Sequence, residues 1–297
     1  MICELAPAKV NLTLEVLDKR NDGYHEIESL MQTIDICDVL TLWDNEWVQV
    51  IPEYCNLPSH DSLSGNGYSK FLFDNLVYKA ALLLKQETGY GGGALIQLKK
   101  NIPSSAGLGG GSSDAAATLK GLNKLWGLGL SKEDLAEIGS RIGSDVPYFI
   151  YGGTCLVKGR GEKVKPLENL NTKWLVVIPL PICIREKTSK LYSYIKPAHY
   201  SRGKVTGTLI KELKNGSGTN GFRENLFNVF EIVYNDCFNE FNEWIGELEN
   251  MGITPLHLAG SGPAVYYISE SREKVRKVIE SLTGKENLSK YLARTVP

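Results

Sequence analysis

Between Pro103 and Asp114 the chain reads Pro-Ser-Ser-Ala-Gly-Leu-Gly-Gly-Gly-Ser-Ser-Asp, after an alternating apolar segment, Ala94 to Leu98, and before an alanine-rich one. Glycine lets a backbone come close to an anion, and the free amides at a helix start carry about +0.5 of a charge from the summed peptide dipoles. A polyphosphate suits that place. Ser112 and Ser113 add hydroxyls that can donate to a phosphate or reach its Mg²⁺. Two familiar loops are excluded: a Walker A loop needs a Lys after the glycines, and a dinucleotide fingerprint needs Gly where Ser112 stands.

Three other places carry groups of the right chemistry. Asp145, in Gly143-Ser-Asp-Val-Pro147, is a carboxylate on a proline-stiffened turn that can orient an attacking hydroxyl or take its proton. Lys9, at the start of an alternating strand, is a point charge able to neutralise a transferring phosphoryl group. Tyr24 and His25 offer a stacking face and an imidazole able to read a nucleobase edge. Taken alone, each has a plainer reading: an Asx-turn, a solvated lysine, a surface aromatic pair. Gly260-Ser261-Gly262 is likewise either a plain hairpin turn or a nest of amides facing the glycine loop.

The elements that must position these groups are readable from periodicity. Val10, Leu12, Leu14 and Val16 alternate with polar residues as a half-buried strand does, and Asn21-Asp22-Gly23 supplies a turn. Strands are expected at Ile34 to Ile36, Val39 to Trp43 and Trp47 to Ile51, and a helix from Asn75 to Gln86. The glycine loop feeds a helix striped by Ala115, Leu119, Leu122 and Trp126 and closed by Gly127. Ser131 and Asp134 read as a capping box for a helix over Leu135 to Ile142. Tyr148 to Tyr151 and Thr154 to Val157 read as strands around Gly152-Gly153. Further on come a buried strand at Trp174 to Ile178, helices near 188–196, 205–214, 224–249 and 272–282, and two strands around Gly260 to Gly262. Lys214 to Gly221 reads as a mobile loop, and Ser271 to Pro297 carries no functional signal.

At 297 residues, two domains are expected, 1–170 and 171–297. A net charge of −1 gives no bulk field for nucleic acid or an anionic membrane. The longest mainly apolar run, Leu175 to Ile184, holds two prolines and is far short of the roughly 20 residues of a bilayer span. The first ten residues do not read as a secretory signal. Cys3, Cys37, Cys55, Cys155, Cys183 and Cys237 lack metal-site spacing, so reduced thiols in a cytoplasmic protein are expected.

In this order, Pro7-Ala-Lys-Val-Asn-Leu12, the Pro103 to Asp114 loop and Gly260-Ser-Gly262 resemble the three motifs of the GHMP kinase superfamily across nearly the whole chain. Arg20-Asn-Asp-Gly-Tyr-His-Glu-Ile-Glu-Ser29, Gly143 to Pro147, Gly152-Gly-Thr154 and Gly159-Arg-Gly-Glu162 are similar to the branch acting on 4-diphosphocytidyl-2-C-methyl-D-erythritol. The resemblance implies an α+β fold of two domains, the first ribosomal-protein-like and the second ferredoxin-like, with the active site in the cleft between them. It implies transfer of a phosphoryl group from ATP, with Mg²⁺, to the 2-hydroxyl of the methylerythritol moiety, giving the 2-phosphate and ADP in the non-mevalonate route to isoprenoids.

It assigns Asp145 as base or hydroxyl-orienting group and Lys9 as its cationic partner. Pro103 and the run Gly107, Leu108, Gly109, Gly110, Gly111, Ser112 and Ser113 take the ATP phosphates, and Asn75 stands by adenine. Asn11, Tyr24 and His25 hold the cytidine end, with Thr188 and Tyr192 as a second-domain closure. Ala259 and Pro263 depart from the hydroxyl residues usual in the third motif. A monomer or weak homodimer and a protein-built metal site of no residues complete the expectation. The competing readings are another small-molecule kinase of the superfamily, a non-catalytic nucleotide sensor, and an RNA-binding module, the last disfavoured by the balanced charge.

Overall fold

A computed structural model describes residues 1–54, 75–183, 186–214, 222 and 225–297. Cys55 and most of the expected loop at 214–221 lie outside them. Contacts divide the chain into two compact units: Met1–Ala8, Ile36–Pro103 and Gly109–Tyr151 form the first, and Lys9–Asp35, Ser104–Leu108 and Gly152–Pro297 the second. Two long strands, β1 (Ile2–Lys19) and β2 (His25–Asn45), contribute to both.

In the first unit, β4 (Gly93–Lys100) pairs antiparallel with β2 from Val39 to Asn45 and parallel with β3 (Gln49–Tyr54). Among the described residues its helices are α1 (Leu76–Thr88), α2 (Gly110–Leu125), α3 (Lys132–Ser140) and α4 (Val146–Tyr151). Ala115, Ala116 and Ala117 are fully buried in α2, and such small side chains let neighbouring helices α1 and α4 come close. The capping box of α3 forms as expected, Ser131 accepting from the Asp134 amide and Asp134 from the Ser131 amide. Glycine in the left-handed conformation follows α1 at Gly89.

The structure corrects the expected strand at Tyr148 to Tyr151, which belongs to helix α4. Val146 to Ile150 are buried throughout, and a short run apolar on every side has no period to separate strand from helix. Contact with α2 and α3 decides it. The expected strands Ile34 to Ile36 and Val39 to Trp43 are also not separate, because β2 runs through Cys37 and Asp38 between them. Asp38 is buried within the strand and accepts from the amides of Asn101 and Ile102.

In the second unit, β2 from Ile27 to Gln32 pairs antiparallel with β5 (Thr154–Gly159), which pairs with β6 (Lys163–Pro166). β1 pairs parallel with the short β8 (Phe227–Asn228). A second sheet has the order β11-β7-β10-β9: Tyr291–Arg294, Trp174–Pro179, Ala264–Ser269 and His257–Leu258. Leu175 to Ile178 are fully buried because β7 is a central strand. The remaining helices are α5 (Lys187–Ser193), α6 (Lys204–Lys214), α7 (Val229–Cys237), α8 (Asn239–Asn250) and α9 (Arg272–Ser281). The single helix expected over 224–249 is broken at Phe238, whose non-helical backbone brings its ring 5.1 Å from Tyr234.

Among the described residues no cysteine is in a disulfide, and no helix is long and apolar enough to cross a membrane.

Candidate active site

In the first unit the glycine loop ends on Gly109, which caps α2 in the left-handed conformation at φ 75° and offers no side chain to the helix start. The amides of Gly110, Gly111 and Ser112 therefore precede the first intrahelical bond, Ser113 N–H to the Gly109 carbonyl at 2.9 Å, and nothing on the cap takes them up. Three uncapped donors on a 16-residue helix form a site fitted to phosphate oxygens. Of the two serines, Ser113 is buried and donates to the Pro7 carbonyl at 2.7 Å, whereas Ser112 is half-buried. Pro103, before the loop, is half-buried.

Asn75 caps α1, its side-chain oxygen accepting from the Val77 amide at 2.8 Å. A Cβ placed on Gly111 would lie 3.5 Å from Leu76 Cδ1, so the two helix starts are side by side. The Asn75 amide NH₂ is the polar end remaining for a base. On the other side a Cβ on Gly143 would stand 3.8 Å from Ser112 Oγ, bringing the Asp145 turn to the start of α2. Asp145 is half-buried, and within this unit its carboxylate makes no hydrogen bond or ion pair.

Beneath the loop lies a charged group that the sequence did not reveal. Lys100 Nζ pairs with both Asp38 and Asp114, the latter at 2.6 Å, and sits 3.4 Å from where a Gly110 Cβ would be. Burial pushes the Asp114 carboxyl up to about 8, against the opposing pull of the Lys100 ammonium. Asp114 Oδ1 has no hydrogen-bond partner, so Oδ2 and Lys100 carry its polar contact. A carboxyl raised in this way adds stability below the unfolded value of 3.8 and loses it as pH climbs to about 8. Asp114→Asn is expected to flatten the fall of melting temperature across that window; an unchanged slope would refute this protonation.

In the second unit Lys9 is buried and its Nζ donates to Asn11 Oδ1 at 2.5 Å. Asn11 Nδ2 donates in turn to Ser29 Oγ at 2.7 Å, and Ser29 to the Thr13 carbonyl at 2.5 Å. The Asn11 amide is thus committed to holding the lysine. The Lys9 amide donates to the carbonyl of Leu108, whose buried side chain leaves only main chain for a ligand.

Gly107, at φ 87°, packs against the Gly260–Gly262 turn so closely that a Cβ would overlap the Ala259 carbonyl. A Cβ on Gly260 would stand 2.6 Å from Lys9 Nζ. Asn228 fastens this turn, donating to the carbonyls of Leu258 and Gly260 while its oxygen caps α7, and Tyr234 Oη donates to the Ser261 carbonyl.

His25 stacks on Tyr192 with ring centroids 5.1 Å apart and planes 16° from parallel, and Tyr200 meets it edge-on. Burial, then the nearby Lys19 charge, lowers the His25 pKa, so the imidazole is neutral at pH 7 and carries one donor and one acceptor. Tyr24 does not join this cluster: its exposed ring lies under Arg160 at 5.3 Å. Thr188 Oγ1 meets Ser261 Oγ at 3.2 Å. Tyr200 is the aromatic that periodicity did not single out. Tyr192→Ala is expected to raise KM for a cytidine-bearing substrate by roughly tenfold or more, the scale of one lost stacking contact, with KM for ATP unchanged. Equal weakening toward both would contradict the assignment.

The GHMP kinases N terminal domain family matches residues 75–153, the stretch holding Asn75, the glycine loop and Asp145. A protein of Dehalococcoides mccartyi described as 4-diphosphocytidyl-2-C-methyl-D-erythritol kinase is 36% identical over 297 residues, covering 100% of this chain and 99% of that protein. One of that description from Bacillus subtilis is 37% identical over 286 residues, 95% of this chain and 93% of the other. Among solved structures, 4-(cytidine 5'-diphospho)-2C-methyl-D-erythritol kinase superposes with a TM-score of 0.79 at 28% identity, with complete coverage of both chains. Mevalonate kinase of Methanococcus jannaschii shares the fold at a TM-score of 0.68 and 16% identity. With relatives of this identity and coverage, the chain belongs to the 4-diphosphocytidyl-2-C-methyl-D-erythritol kinase family of the GHMP kinases.

Proposed function

We propose that this chain transfers the terminal phosphoryl group of ATP to the 2-hydroxyl of 4-diphosphocytidyl-2-C-methyl-D-erythritol, giving ADP and the 2-phosphate, in the non-mevalonate (methylerythritol phosphate) route to isoprenoids. The observation that carries this reading is 36% identity sustained over all 297 residues with a relative of that name. Geometry supports it at both ends: uncapped amides on α2 suit a triphosphate, and the His25–Tyr192 stack suits a cytosine.

Phosphoryl transfer demands alignment and neutralisation of spreading charge rather than covalent chemistry. In this proposal Gly107 to Ser113 hold the ATP phosphates, Asn75 meets adenine, and Asp145 orients the acceptor hydroxyl with Lys9 as its cationic partner. His25, Tyr192 and Thr188 hold the substrate, with Asn11 steadying Lys9 and Tyr24 at the outer turn. Mg²⁺, arriving with ATP, would supply charge neutralisation, and the half-buried Ser112 hydroxyl at the start of α2 would be the side chain to hold it. Residues 1–170 would contribute the ATP side and 171–297 the substrate wall. The protein would act in the cytoplasm as a monomer or weak homodimer, without nucleic acid or membrane.

ADP release by the purified chain with MgATP, tested against the cytidylylated methylerythritol, mevalonate and homoserine, decides the matter. Turnover with the first alone is the expected result. Turnover only with another acceptor would replace the substrate, and none with any would leave a nucleotide binder.

A further inference from the structure

One cation of the second unit has no part in the reading above. Lys187, the first residue of α5, reaches with Nζ to two main-chain carbonyls, that of Gly262 and, at 2.6 Å, that of Ser105. These carbonyls belong to different pieces of the site: Ser105 leads into the glycine loop and Gly262 closes the 260–262 turn. The two pieces already touch, since the Ala264 amide donates to the Ala106 carbonyl at 3.1 Å and Gly107 packs on the turn.

The backbone on either side is bent to allow the contact. Among the described residues, the non-glycine positions with positive φ are Ser105 at 56° and Glu186 at 49°, one the acceptor and the other the residue preceding the lysine. Left-handed backbone is unfavourable for a residue bearing a side chain and persists where the surroundings impose it. Ser105 presents its carbonyl to the ammonium from this bent backbone, and Glu186 bends the chain immediately before the lysine.

We propose that Lys187 is a positioning residue, a latch whose ammonium ties the glycine loop at Ser105 to the turn at Gly262 and so presets the loop for the ATP phosphates. The proposal rests on the kinase reading for its consequence but not for its existence. Lys187 is half-buried, and α5 also carries Thr188, whose hydroxyl meets Ser261 of the same turn, and Tyr192, which stacks on His25. The latch therefore joins the helix bearing the aromatic cluster to the 104–108 stretch and the 260–262 turn. Burial, then the charge of Lys9, lowers the lysine's pKa to about 8, and Lys9 is the charged group that faces it. Its hold should weaken as pH rises through 8, because a neutral amine is the poorer donor to a carbonyl.

Hydrogen exchange on the intact chain without ligand reads the latch directly. Lys187→Met should raise deuterium uptake in peptides covering 104–108 and 259–263, with Lys187→Arg near the wild type. Steady-state kinetics should show KM for ATP raised roughly tenfold in Lys187→Met, the scale of one lost charge-assisted hydrogen bond, with KM for the cytidine substrate changed less. In the wild type KM for ATP should climb between pH 7 and 9, and Lys187→Arg should remove that climb because guanidinium stays charged. Unchanged exchange in Lys187→Met, or the same pH profile in Lys187→Arg, would overturn the latch. Wild-type inactivity toward every acceptor would instead overturn the kinase reading and leave the exchange result standing.

Discussion

Asp145→Asn is expected to lower turnover by about 10²–10⁴, the usual span for a positioned proton acceptor, while KM for ATP stays near the wild-type value. Asparagine keeps the shape and one carbonyl oxygen but can neither take a proton nor present a negative charge to the hydroxyl. The fold should scarcely notice. The side chain is half-buried and makes no hydrogen bond or ion pair within its own unit, so the change in stability should stay within about 0.5 kcal/mol. Its turn is held by main chain instead, through the Gly143 amide on Gly139 and the Val146 amide on Gly143. Single-turnover rates with denaturation of the same sample separate the two effects. Near-normal turnover would remove Asp145 from the chemistry, and lost activity with lost stability would show a structural role.

Lys100→Met should produce the largest loss of stability, about 3–5 kcal/mol, because it leaves the buried Asp38 carboxylate without its cation. Asp38 is fully buried and Asp114 nearly so, and the Lys100 ammonium is paired with both. Burial works against that ammonium, yet the two acids together hold its pKa above the ordinary lysine value. Asp38 retains its two backbone donors in the variant, whereas Asp114 loses its cation and is left facing Asp38. Adding Asp114→Asn should therefore recover part of the loss, a coupling that a double-mutant cycle in urea measures. Additive losses would mean that the lysine serves Asp38 alone. Since Lys100 lies under Gly110, a second consequence is looser binding of ATP at temperatures where the variant is still folded.

Much of the site was legible before any coordinates, and the reason is locality. A strand, a glycine run and an alanine-rich helix are written in neighbouring residues, as are the Ser131–Asp134 capping box and the Asn75 cap. What escaped was of two kinds. Val146 to Tyr151 is apolar on every side, so no periodicity could name its state. Tyr24 and His25 are neighbours in sequence, yet His25 stacks on Tyr192 while Tyr24 lies under Arg160, a division that only packing decides.

The amino-acid order by itself determined which groups are available: free amides at a helix start, a lysine on a strand, a carboxylate on a stiff turn, an imidazole after a tight turn. It did so because backbone freedom, capping and side-chain periodicity act within a few residues. Only the tertiary structure decided their partners. Lys100 meets Asp38 across 62 residues, and Lys187 reaches Ser105 and Gly262 across 82 and 75. Such pairings follow from which surfaces must be buried together, and burial fixes both the contact and the charge state of the groups that make it.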